Sequence, residues 1–265
     1  MCPVRTDYHI HTRLCHHAEG EPIEYVRAAQ KVGLSEVGFA DHNPMPEHFD
    51  EWRMSIQDLP HYLEMVEEVR STTGFPVRLG LECDFIQGYE FWIESLAGKV
   101  PWDYLIGSVH YIAPGWDVDN PKYLSRFRRF PVEEIWELYW KNYVRCVESG
   151  LFDFVAHPDL PKKFGYRPLG DLRRYYQPAI ESLAKRDVAF EINTAGLRKE
   201  AQEIYPASAF IELAREAGVA MLVNSDAHAP AEVGYKFDEA RNLARQAGYS
   251  KVCRFEKRQR IEVDL

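Results

Sequence analysis

Thr6-Asp7-Tyr8-His9-Ile10-His11 and Leu222-Val223-Asn224-Ser225-Asp226-Ala227-His228 share one plan: a short run of strand-forming residues that ends in metal-ligand side chains at alternate positions. The plan recurs between them. Val37-Gly38-Phe39-Ala40-Asp41-His42, Val77-Arg78-Leu79-Gly80-Leu81-Glu82, Leu105-Ile106-Gly107-Ser108-Val109-His110 and Phe152-Asp153-Phe154-Val155-Ala156-His157 each end on histidine or glutamate. Ala189-Phe190-Glu191-Ile192-Asn193 repeats the run without a ligand at its end. Segments of helical periodicity separate the runs: 22–32, 59–73, 132–149, 172–186, 207–217 and 237–247. Strand followed by helix, repeated, predicts right-handed crossovers and a parallel sheet.

An open doubly wound sheet and a closed barrel both show this alternation. Closure is favoured because candidate ligands come from the first, second, third, fourth, fifth and seventh runs, which an open sheet would hold too far apart to converge. The expected fold is therefore a (β/α)7 barrel, one domain over residues 1–265, with its pocket at the C-terminal ends of the strands. Residues 111–131, rich in Pro, Gly, Asp and Arg, read as a long loop near that mouth.

Composition narrows the class of activity. With 46% hydrophobic residues the chain can bury a large core, and a net charge of -9 argues against general affinity for nucleic acid or anionic membrane. No apolar signal segment or membrane span is evident, which makes the cytoplasm the expected location. Cys2, Cys15, Cys83, Cys146 and Cys253 are odd in number and widely spaced, so they read as reduced thiols without a disulfide framework.

His9 and His11 project to one face of a strand, and Asp226 with His228 repeats the spacing. Adding His42, Glu82, His110 and His157 gives more ligands than one ion can use. Imidazole and carboxylate donors without thiolate suit Zn, Mn or Fe(II), and a carboxylate can bridge two ions.

His9-Ile10-His11-Thr12 with His17 beyond it, Ala40-Asp41-His42, Gly80-Leu81-Glu82, Ser108-Val109-His110, Ala156-His157-Pro158-Asp159 and Ser225-Asp226-Ala227-His228 resemble the motifs of the PHP (polymerase and histidinol phosphatase) superfamily. Within it the chain is similar to the monofunctional histidinol-phosphate phosphatases. The resemblance implies a distorted seven-stranded barrel and a trinuclear site with two or three divalent ions (Zn, Fe or Mn). One ion would use His9, His11, Glu82 and Asp226; a second Glu82, His110 and His157; a third His17, His42 and His228. Spacing favours His17 over His16, and His16, His48 and His61 are left without a metal role.

The implied reaction is hydrolysis of a small-molecule phosphomonoester by a metal-activated water, with histidinol phosphate the expected substrate. A nucleotide, a sugar phosphate, phosphotyrosine or a DNA 3′ end is the alternative, and a binding protein that has lost its chemistry a more distant one. Asp41 is a candidate proton donor, or else orients a ligand imidazole. Arg198, in the turn after the ligand-free run, is the first candidate for the phosphate, followed by Lys162, Lys163 and Arg167. Glu19, Asp84, Tyr111 and Asp117 are available to the substrate's amine and imidazole. Neither membrane nor nucleic acid is expected as a partner.

Overall fold

The computed structural model describes residues 5–265; Cys2 lies outside them. Seven parallel strands form one sheet in the order β1 (Thr6–Ile10), β2 (Glu36–Phe39), β3 (Val77–Asp84), β4 (Tyr104–Ser108), β7 (Phe154–Val155), β8 (Ala189–Asn193) and β9 (Met221–Asn224). A parallel bridge between Ile10 and Ala227 brings β9 back to β1, so the sheet curls into a nearly closed barrel. That is the expected fold.

The crossovers are helices α1 (Pro22–Lys31), α2 (Leu59–Thr73), α3 (Glu90–Lys99), α5 (Val132–Ser149), α6 (Arg173–Arg186), α7 (Ser208–Glu216) and α8 (Phe237–Gln246). In α5, Ile135, Trp136, Tyr139, Trp140, Tyr143, Cys146 and Val147 fall three or four apart and are all buried on the sheet side. Glu133 and Glu134 occupy its first turn, and Gly150 ends it at φ 71°. A reciprocal Glu21 and Glu24 cap starts α1, with Pro22 at the first position.

Two regions differ from the sequence reading. Residues 111–131 are not one irregular loop: they carry the antiparallel pair β5 (Tyr111–Ala113) and β6 (Trp116–Asp117), then the short α4 (Leu124–Phe127). After α8 comes an unexpected hairpin, β10 (Lys251–Glu256) and β11 (Gln259–Asp264). It plugs the N-terminal end of the barrel: Phe255 packs 5.5 Å from Phe154, Arg258 N donates to Asp103 O at 2.8 Å, and the Arg258 guanidinium pairs with Asp153.

Inside the barrel, Tyr104 fills the space beneath the pocket. Its hydroxyl reaches the carbonyl oxygens of Tyr8 (2.7 Å) and Phe39 (3.2 Å), which ties β4 to β1 and β2. Gly38 and Gly80 make that reach possible, because a Cβ at either would lie 2.2 or 2.1 Å from the tyrosine ring and its hydroxyl. The floor of the pocket is therefore fixed by one aromatic side chain and two missing ones.

Candidate metal centre

Glu82 stands where the strand ends converge, 1% exposed. The β2–β3 ladder continues past β2 to hold it, with Glu82 N donating to Asp41 O (3.0 Å) and Asn43 N donating to Glu82 O (2.8 Å). Its two carboxylate oxygens face different sets of imidazoles. Oε1 accepts from Ser108 Oγ at 2.6 Å and lies 3.1 Å from His157 Nε2 and 3.6 Å from His110 Nε2. Oε2 lies 3.0 Å from His42 Nδ1, 3.2 Å from His9 Nε2 and 3.4 Å from His11 Nε2. Asp226 Oδ1 faces His11 Nε2 at 3.4 Å and His9 Nε2 at 3.8 Å from the far side of the seam. Ligand atoms of His17, His42 and His228 form a further group, all within 4.8 Å of one another.

The rings are held from behind, and this leaves the opposite nitrogen free. His9 Nδ1 faces both oxygens of Glu191 at 3.1 and 3.0 Å, His110 Nδ1 faces Asp84 Oδ1 at 2.7 Å, and His17 Nδ1 donates to Cys15 O at 2.7 Å. Such partners fix the tautomer and direct the ring. Glu191 in turn accepts from His157 N, Asn193 Nδ2 and Asn224 Nδ2 at 2.7–2.9 Å. Seven buried atoms of these side chains have no hydrogen-bond partner: His9 Nε2, both nitrogens of His11, His42 Nδ1, His157 Nδ1, His228 Nε2 and Glu82 Oε2. Orphan donors of this kind at the centre of a fold fit divalent cations.

The charges agree. Burial alone would discharge Glu82, but His9, His42, His110 and His157 hold it well below the usual carboxylate range; burial opposes the charge of Asp226 too, and His9, His11 and His228 overcome it. Reciprocally, burial works against protonation of His9, His11 and His110, and the carboxylates raise all three well above the ordinary imidazole value. The pocket demands positive charge, which protons supply in the metal-free protein and divalent ions would supply in their place. A raised folded-state pKa stabilises below the unfolded value of about 6.5 and loses that contribution as pH rises. His228 is pushed down by burial and by His11, so it acts only below that value. The metal-free protein should therefore melt at a lower temperature at pH 8.5 than at pH 6.5. Calorimetry in the presence of chelator checks this, and a flat or rising profile would contradict it.

The structure also places the other expected residues. His17 joins His42 and His228, with ring centroids 5.6 and 4.5 Å away, whereas His16 turns into a separate cavity lined by residues 45–58. His48 and His61 lie at the surface beside Glu51 and Glu64. Asp41 sits behind His11, its carboxylate taken by the amide and hydroxyl of Thr12 and 3.5 Å from His11 Nδ1. Of the three basic residues after His157, only Lys163 reaches the cavity. Lys162 is 1% exposed and bonded to Asp159, Glu203 and Ile204 O, because neighbours on the 3₁₀ turn Leu160–Phe164 point about 120° apart. Arg167 pairs with Glu203 at 2.6 Å, outside the lining of the cavity. Arg198 Nη2 donates to the carbonyl oxygens of Ser225 and Asp226, both at 3.0 Å, while its buried Nη1 has no partner.

The resulting cavity, about 220 Å³, is lined by His17, His42, Glu82, His110, His157, Asp226 and His228 together with Asp119, Lys163, Lys199, Tyr205 and Glu232. Sequence reasoning missed Glu191, whose signal was a carboxylate in the middle of an apolar strand, a position tolerated only when the charge is paired. It also missed Asp119, and it counted Asp84 among four residues available to the substrate's amine and imidazole, whereas Asp84 is bound to His110 and to Arg53 at 2.8 Å.

The chain matches the PHP domain model over residues 7–195 and belongs to that family. It is 40% identical over 245 residues to a protein of Deinococcus radiodurans named probable histidinol-phosphatase, covering 91% of this chain and 93% of the relative. The histidinol-phosphatase of Bacillus subtilis is 24% identical, with 88% and 97% covered. The histidinol phosphate phosphatase of Lactococcus lactis, solved with zinc, L-histidinol and phosphate, superposes with a TM-score of 0.82 at 22% identity, covering 97% of this chain and 98% of that one.

Proposed function

We propose that this chain is a metal-dependent histidinol-phosphate phosphatase, converting L-histidinol phosphate and water to L-histidinol and phosphate in histidine biosynthesis. The observation that carries the reading is Glu82, one carboxylate whose two oxygens face separate imidazole sets. The substrate follows from the extended similarity to the Deinococcus protein.

His9, His11, Glu82 and Asp226 would hold one ion, Glu82, His110 and His157 a second, and His17, His42 and His228 a third; zinc, iron or manganese suits these donors. When bound, the ions acidify a water molecule and offset charge on the phosphoryl oxygens. Lys163, on the cavity wall, would grip the same oxygens; Arg198, outside the lining but bonded to the carbonyl oxygens of Ser225 and Asp226, would have to turn its unpartnered Nη1 toward them, and Asp41 keeps the His11 ring in position. Residues 1–265 act as one domain. The described cysteines, Cys15, Cys83, Cys146 and Cys253, are free and buried, in keeping with a reducing cytoplasm, and no helix among the described residues is long and apolar enough to cross a membrane.

Phosphate release from a panel of phosphomonoesters tests this. Histidinol phosphate should exceed nucleotides and sugar phosphates at least about tenfold in kcat/KM, which requires only about 1.4 kcal/mol of selective transition-state binding. Equal rates across the panel would reject the substrate assignment and leave the metal centre standing.

A further inference from the structure

We propose that Asp119, paired with Lys163 on the cavity wall, reads the substrate's ammonium group and so selects phosphate esters that carry an amine on the carbon next to the ester carbon. The inference rests on the phosphatase reading and deepens it. Lys163 Nζ donates to Asp119 Oδ2 at 2.8 Å and to Asp119 O at 2.7 Å, and both side chains line the cavity that holds Glu82, His110 and Asp226. Opposite charges thus stand side by side at the mouth. L-Histidinol phosphate carries the complementary pair, a phosphate and an ammonium on adjacent carbons. Laid antiparallel to the protein's pair, it satisfies all four charges at once.

The other carboxylates near the cavity are committed elsewhere. Glu232 accepts from His228 N at 2.9 Å and faces Arg198 Nε at 3.0 Å, and Asp84 is held by His110 and Arg53. Asp117 is 3% exposed, and burial followed by its neighbour Asp119 pushes it up to about 9, so it stays protonated at neutral pH. Asp119 behaves oppositely: burial opposes its charge, and the Lys163 ammonium holds it well below the usual range. The Lys163 ammonium thus favours the charge on Asp119, the member of the pair that lines the cavity. When Lys163 turns to the phosphate, the ammonium takes its place on Asp119.

The experiment compares wild type with Asp119→Asn on histidinol phosphate and on its deamino analogue, 3-(imidazol-4-yl)propyl phosphate. The variant should lose about 10- to 100-fold in kcat/KM on histidinol phosphate and stay within about threefold of wild type on the deamino ester. Lys163→Gln should lower both. Equal loss on the two esters in Asp119→Asn, or no loss on either, would overturn the proposal, since the carboxylate would then only support Lys163 or do nothing. A second pair, O-phosphoethanolamine and ethyl phosphate, separates this outcome from an error in the substrate. Amine selectivity that appears there and disappears in Asp119→Asn would keep the clamp even if wild type left histidinol phosphate intact.

Discussion

Glu82→Ala should abolish turnover, lowering kcat by about 10³-fold or more, and should release more than one equivalent of metal. Oε1 faces His110 and His157, while Oε2 faces His9, His11 and His42, so truncation removes a shared anion from two imidazole sets together. A ligand serving one ion would cost one equivalent. Glu82→Gln separates charge from shape: it keeps an oxygen for Ser108 Oγ, now 2.6 Å away, but not the charge that offsets the surrounding histidines. Elemental analysis of the purified variants decides the matter, and full occupancy in Glu82→Ala would remove this residue from the bridge.

Arg198→Ala should lower kcat/KM by about 30- to 1000-fold, as expected for loss of a charge-assisted contact to a phosphoryl group. Arg198→Lys should recover only part, because a point charge cannot hold the carbonyl oxygens of Ser225 and Asp226 and reach the substrate as the planar fork does. Those two carbonyls suggest a competing explanation, in which Arg198 merely steadies the turn that carries Asp226. Metal content distinguishes the two. A loss of bound metal in proportion to activity would assign Arg198 to Asp226, whereas retained metal with lost activity assigns it to the phosphate.

The barrel was legible because the chain repeats a single device: an apolar run that ends on a ligand leaves little freedom about which end of the sheet is chemical. Helices with a strongly buried face, such as α2 and α5, coincide with their periodic segments, Leu59–Thr73 and Val132–Ser149. By contrast, α3 buries only Ile93 and Leu96 and leaves Phe91 65% exposed, so its pattern is too weak to read. The β10–β11 hairpin escaped for a different reason, since what it covers is the barrel end, which exists only once the strands have assembled.

The site divides along the same line. Ligand types at strand ends announce themselves, but the residues that orient them depend on partners far away in the chain. Glu191 meets His9 across 182 positions, and Lys163 meets Asp119 across 44. Neither spacing belongs to any local period. Lys162 and Lys163 show the limit most directly: identical neighbours in sequence, one sealed in an ion cluster and one facing the pocket.

The junction of β1 with β9 has a meaning for the polymer as well as for the chemistry. Tyr8 N meets Asn224 Oδ1 at 2.9 Å over 216 positions, and two backbone bonds, His11 N to Ala227 O and Ala227 N to His9 O, complete the stitch. Closing so long a loop forfeits much of the chain's configurational freedom, and contacts of this separation slow folding. His9 and His11 lie on one side of the stitch and Asp226 and His228 on the other, so a cation held among them would tie this long loop, a task that small secreted proteins give to disulfides. The atoms assigned to hydrolysis would then also lock the closure of the barrel, and bound metal would stabilise the fold along with the chemistry.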